Sequence, residues 1–171
     1  PQNISLDTAR SLYAGLRQDT AIPNNPLKYQ DDGDGLWVSD DVTEAWNDLV
    51  MAATAPRADG SLLPHVAGSG YAWTVRLVPG TDHPTDTGVT HSTSSGAHPR
   101  LSEYLTLQAT RIQAGETPVD GDSYTWLNGT FGDGGGQAPG GLWDRGGGRV
   151  FVDWDRVGVS DVGLGSRLPV W

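Results

Sequence analysis

Apolar residues recur at helical spacing in three stretches of this chain, and three other stretches are rich in strand-forming residues. Leu6, Ala9, Leu12, Tyr13 and Leu16 mark one face of a helix over residues 5–18, with Ser5 placed to cap it and Asp7 in its first turn. The run "AIPNNP" ends it. Val42, Ala45, Trp46, Leu49 and Val50 form a second stripe from about Asp40 to Ala53; Ser39 or Asp41 can cap it, and Asp41 with Glu44 resembles a capping box. Leu101, Tyr104, Leu105, Gln108 and Ile112 place a third helix in "RLSEYLTLQATRIQAG", with Ser102 as its cap. "YAWTVRLVP" (71–79), "SYTWLNGTF" (123–131) and "GRVFVDWDRVGV" (148–159) read as strands. In the last of these, Val150, Val152 and Trp154 share one face, while Arg149, Phe151, Asp153 and Asp155 share the other. Residues 80–99 form a long polar loop.

The pattern predicts an α+β fold with two or three helices, short twisted strands and long loops. One domain over 1–171 is expected, with a helical N-terminal part (1–69) and a strand- and loop-rich ligand-binding part (70–171). Twenty-four glycines and eleven prolines fit a loop-rich chain. "DGLW" (34–37) and "GGLW" (140–143) look alike, but their surroundings differ, and the likeness reads as chance.

Charge narrows the partners. Twenty-one acidic residues against eleven basic ones give a formal net charge of −10. Without clustered Lys and Arg, the chain lacks what phosphate neutralisation requires, so nucleic acid is not an expected partner. An anionic membrane surface is excluded on the same ground, and no run of eighteen apolar residues suggests membrane insertion. The polar, amphipathic start "PQNISLDTARSLYAGLRQ" is not a signal peptide, which points to a virion or cytoplasmic location.

Candidate chemistry is sparse. The chain has no cysteine, so thiolate metal sites and cysteine nucleophiles do not arise. "QDDGDGLWVSDD" aligns on an EF-hand loop with Asp32, Asp34, Gly35 and Asp41 at the third, fifth, sixth and twelfth places. Gln30 stands where the first aspartate belongs, however, and Asp41 replaces the bidentate glutamate, so an acidic turn is the better reading. Asp82, His83 and His91 suggest a metal trio in the long loop, but no tight ligand spacing supports one, and solvated loop histidines are expected. There is no G-x-S-x-G turn, and "GDGGGQAPGG" lacks the lysine of a phosphate loop. Trp126, Trp143 and Trp154 sit beside apolar strand residues, which favours core over a sugar-stacking platform. No metal or cofactor is expected.

Five segments occur in one order: "HPRLSEYLTLQA" (98–109), "YTWLNGTF" (124–131), "GGLW" (140–143), "GRVFVDW" (148–154) and "LGSRLPV" (164–170). Together they resemble the C-terminal half of the C-type lectin fold in its formylglycine-generating-enzyme-like branch. Catalytic members of that branch rely on cysteines or on histidines from another domain. The resemblance therefore implies a binder, similar to the variable proteins of diversity-generating retroelements and to the receptor-binding tip proteins of tailed phages. It implies framework roles for Gly140, Gly141, Trp143, Arg149, Trp154, Gly165 and Arg167. It implies a ligand surface built from Leu142, Asp144, Arg145, Phe151, Asp153, Asp155, Arg156, Val157 and Asp161. The expected partner is a cell-surface protein or glycan receptor, with homo-oligomer or virion assembly contacts besides. Two other roles fit the same residues: a structural capsid or tail-decoration protein, and a metal-dependent enzyme of the same fold using His83, His91 and an aspartate.

Overall fold

The computed structural model describes residues 4–29, 33–51, 65–68, 71–74, 78–92 and 98–167. Three helices and a six-stranded mixed sheet make an α+β architecture. Helix α1 (Leu6–Gln18) starts at Ser5, whose hydroxyl accepts from the Thr8 N–H at 3.2 Å. It buries Ala9, Tyr13 and Leu16, and the Tyr13 hydroxyl donates to the Leu105 carbonyl at 2.7 Å. After it, buried Asn25 accepts from the Leu27 N–H and donates to the Leu16 carbonyl, so the proline-rich turn keeps its polar groups satisfied.

Helix α2 (Asp40–Met51) buries Val42, Trp46, Leu49 and Val50, as its stripe requires. Its expected side-chain caps are not used. The Ser39 hydroxyl has no partner, and the Asp41 carboxylate accepts from the Trp154 indole N–H at 2.7 Å. Helix α3 (Leu101–Gln113) has its N-cap at Arg100, two residues before the expected Ser102, and Glu103 Oε2 accepts from the Arg100 N–H at 2.7 Å. Ala52, Ala53 and residues 75–77, which belong to the expected second helix and first strand, lie outside the described residues.

The sheet joins β1 (Leu36–Val38), β7 (Arg149–Arg156), β6 (Gln137–Asp144), β5 (Tyr124–Trp126), β8 (Leu164–Ser166) and β4 (Asp86–Thr87), in that spatial order. β1 runs parallel to β7 and β5 parallel to β8; the other pairs are antiparallel. β2 (His65–Gly68) and β3 (Tyr71–Thr74) form a separate antiparallel pair.

Register assigns the two faces. Val152 lies opposite Gly141, Gly141 opposite Thr125, and Thr125 opposite Gly165, and this row faces the helices. Val150, Val152 and Trp143 are buried there with residues of all three helices. Asp153, Gly140 and Trp126 form the neighbouring row on the opposite face. A small second cluster of Trp126, Ala138 and Leu164, flanked by Val89, Val157 and Val159, covers only part of that face. The outer side of β6, β7 and β1 beyond this cluster is where a site can form.

A buried ion pair and one close strand approach hold the frame. Arg167 and Asp120 are both fully buried, paired at 2.6 Å (Nη2–Oδ1) and 3.1 Å (Nε–Oδ2). Gly165 lets β8 approach β4 closely, since a Cβ there would sit 2.7 Å from Pro84 Cβ.

Candidate functional site

The uncovered part of the outer face is built from alternate residues of three neighbouring strands. Trp37, Phe151 and Leu142 lie opposite one another across β1, β7 and β6. The Trp37 and Phe151 rings stack with centroids 4.1 Å apart and planes 7° from parallel. The Arg149 guanidinium lies 5.8 Å from the Phe151 ring centre. In the next row Gly140 has no side chain, and its bare backbone floors a cleft of about 500 Å³. Tyr124, Trp126, Leu142 and Leu164 wall that cleft, and Asp122, Asp153, Asp155 and Asp161 stand around it.

The nine residues expected to contact a ligand divide. Leu142, Asp153, Asp155 and Asp161 line the cleft, and Phe151 borders it through the row it shares with Leu142. Arg145 pairs with Asp122 at 3.1 Å on the rim. Asp144 turns inward on its own hairpin: it accepts from the Gly147 N–H at 2.7 Å and pairs with Arg149 at 3.1 Å. Arg156 is exposed just past the cleft, and Val157 packs against the second cluster. Of the positions expected as framework, Trp143 and Arg167 are buried. Arg149 lies half-buried on the outer face, and Trp154 is half-buried, held by Asp41.

Trp37 escapes sequence reasoning, although the signal was present in the likeness of "DGLW" and "GGLW". Leu36 and Trp143 both lie opposite Val150, and Trp37 and Leu142 both lie opposite Phe151. The two segments flank β7 in opposite directions, so each gives one residue to the core and one to the outer face. Tyr124 and Asp122 escape as well, because nothing in their local pattern ties them to a face set by β6 and β7.

The electrostatics of the cleft are negative. The Tyr124 phenol is raised above its ordinary range, first by burial and then by Asp153, Asp144 and Asp155. Among the described residues, no group of three or more His, Asp or Glu is placed to hold a metal ion. Residues 30–32, needed for the calcium alignment, lie outside the described residues. Among the described residues, no helix is long and apolar enough to cross a membrane.

Of the three histidines described in the long loop, His83 is exposed, as expected, and the other two are not. His98 is 4% exposed and His91 is half-buried; their rings stack 4.4 Å apart behind Trp126. His98 Nδ1 is 3.0 Å from the Ser166 hydroxyl, and His98 Nε2 is 3.2 Å from the His91 carbonyl. Burial, reinforced by His91, lowers the His98 pKa to about 4. The unfolded chain takes up that proton near pH 6.5. The network's contribution is therefore complete above pH 6.5 and is lost as pH falls toward 4, by about 3 kcal/mol. Unfolding midpoints measured between pH 8 and 4 will show this slope, and His98→Gln will flatten it; identical profiles for both proteins would show that His98 does not carry it.

Compared with protein-family models, curated proteins and solved structures, the chain matches none.

Proposed function

We propose that this chain is a non-enzymatic recognition protein that displays a ligand-binding face on a C-type lectin-like scaffold. The observation that carries the reading is the separation of two faces on one sheet. The inner face is filled by helix side chains and fixed by the buried Arg167–Asp120 pair. The outer face presents a glycine-floored cleft beside a stacked aromatic pair, built from side chains that the inner core does not need. Such a frame tolerates many different outward residues at constant fold. The ordered motifs from residue 98 to 170 support the same reading through their resemblance to retroelement-diversified variable proteins and phage tail-tip binders. On that reading the partner is a cell-surface protein or glycan, met by the protein as part of a virion, and oligomer avidity multiplies a modest single-site affinity.

The test is capture of labelled protein on arrays of cell-surface proteins and glycans. The full chain will bind a restricted subset. Phe151→Ala and Asp153→Ala will each weaken that binding at least tenfold while remaining folded; Phe151→Ala will also lose the modest stability of its stack on Trp37. Capture of nothing, or capture unaffected by both substitutions, would overturn the proposal. Capture only by other subunits of a virion would favour a structural role for the same face.

A further inference from the structure

The cleft itself indicates the chemistry of what it takes. Its walls are aromatic and aliphatic, from Tyr124, Leu142 and Leu164, and its charged groups are carboxylates. The cation that reaches its rim, Arg145, is already paired with Asp122. Asp153 and Asp155, on alternate outward positions of β7, flank the glycine floor. An anionic ligand entering here meets only repulsion from these groups. A sugar finds no stacking platform in Trp126, whose ring is fully buried and whose indole N–H donates to the Val89 carbonyl at 2.9 Å. A bare metal ion finds no group of three ligands among the described residues.

An apolar stem ending in a positive charge suits both the walls and the rim. The volume, about 500 Å³, is in the range of small-ligand sites and holds one long side chain with its stem. Between the two protein cations, arginine suits this cleft better. Its planar guanidinium is weakly hydrated, packs on an aromatic wall such as Tyr124, and presents several donors to separate carboxylates. We infer that the cleft between β5, β6 and β7 receives an arginine side chain from an exposed segment of a protein receptor. This inference rests on the recognition reading above and gives it a ligand class.

The decisive probe is the peptide acetyl-Gly-Arg-Gly-amide, compared with the same peptide carrying citrulline, which keeps the planar shape and loses the charge. Titration of the full chain, followed through the Gly140 amide resonance, will show millimolar binding of the arginine peptide, at least tenfold tighter than the citrulline peptide. Asp153→Asn with Asp155→Asn will weaken the arginine peptide at least tenfold and leave the citrulline peptide unchanged. Gly140→Leu, which fills the floor, will abolish binding of both. Raising the salt from 0.05 to 0.5 M will weaken the arginine peptide several-fold. Equal binding of the two peptides, no shift at Gly140, or tighter binding of glucosamine than of the arginine peptide would overturn the inference. If the peptides fail while array capture still depends on Phe151, only the ligand class is wrong; if both fail, the recognition reading fails with it.

Discussion

Arg167→Met will lower the stability of the folded protein by about 3–5 kcal/mol, because it leaves a buried carboxylate without its counter-charge. For a chain of this size, the thermal midpoint will fall by roughly 10 °C. The side chain is fully buried, and each of its three nitrogens has a partner. Nε and Nη2 bond the two Asp120 oxygens, and Nη1 donates to the Pro79 carbonyl at 2.8 Å and to the Thr81 hydroxyl at 3.1 Å. Asp120 is a node of its own. Its Oδ2 accepts from the Thr125 hydroxyl at 2.7 Å, its N–H donates to the Asp82 carbonyl, and its carbonyl accepts from the Trp143 N–H. Burial raises the Asp120 pKa while Arg167 opposes that rise, so losing the guanidinium leaves the carboxyl with the desolvation alone. Adding Asp120→Asn to Arg167→Met will recover part of the loss, since the stranded charge is then gone. Urea unfolding of the single and double variants measures both effects. A single-variant loss below about 1 kcal/mol, or strict additivity in the double variant, would mean that the pair does not hold the frame.

This pair also shows how far local pattern reaches. The three helices and β7 are legible because each repeats its apolar spacing over several turns or alternations; their buried residues are among the expected ones, although Leu12 is exposed and Trp154 only half-buried. β1, β4 and β8 have only two or three residues each, too few for a period to register. They exist because a distant strand offers them partners: Val150 for Leu36, and Ser166 for Asp86. Asp120 stands in "PVDGDS", a run of turn-forming residues with no apolar period, yet it is fully buried because Arg167, 47 residues later, reaches it. Likewise His98 sits in a polar loop by sequence and in a packed layer by structure, placed there by Ser166. The outward residues Phe151, Asp153 and Asp155 follow from alternation alone. The cleft does not, because its floor is an absent side chain and its far wall belongs to β5.

The adjacent glycines Gly140 and Gly141 will respond in opposite ways to the same substitution. Gly141 faces the helices, and a Cβ there would lie 2.7 Å from Tyr104 Cζ and 2.8 Å from Tyr104 Cδ1. Tyr104 cannot yield: it is fully buried, and its hydroxyl accepts from Gln108 Nε2 at 2.7 Å and bonds Asp120. Gly141→Ala therefore overpacks the core and will cost about 3 kcal/mol in unfolding free energy. Gly140 faces the cleft, where a Cβ would meet Tyr124 Cδ1 at 3.5 Å and the Thr125 carbonyl oxygen at 3.6 Å, both ordinary contacts. Gly140→Ala will leave stability within about 0.5 kcal/mol of the parent, with a small gain from the stiffer unfolded chain offsetting any crowding. It will also shallow the cleft and weaken ligand capture, whereas folded Gly141→Ala will capture ligand as the parent does. The two effects separate by comparing unfolding curves with array binding normalised to folded protein. Equal stability losses at the two positions would place the cleft floor in the packed core and remove the distinction between frame and display on which the recognition reading depends.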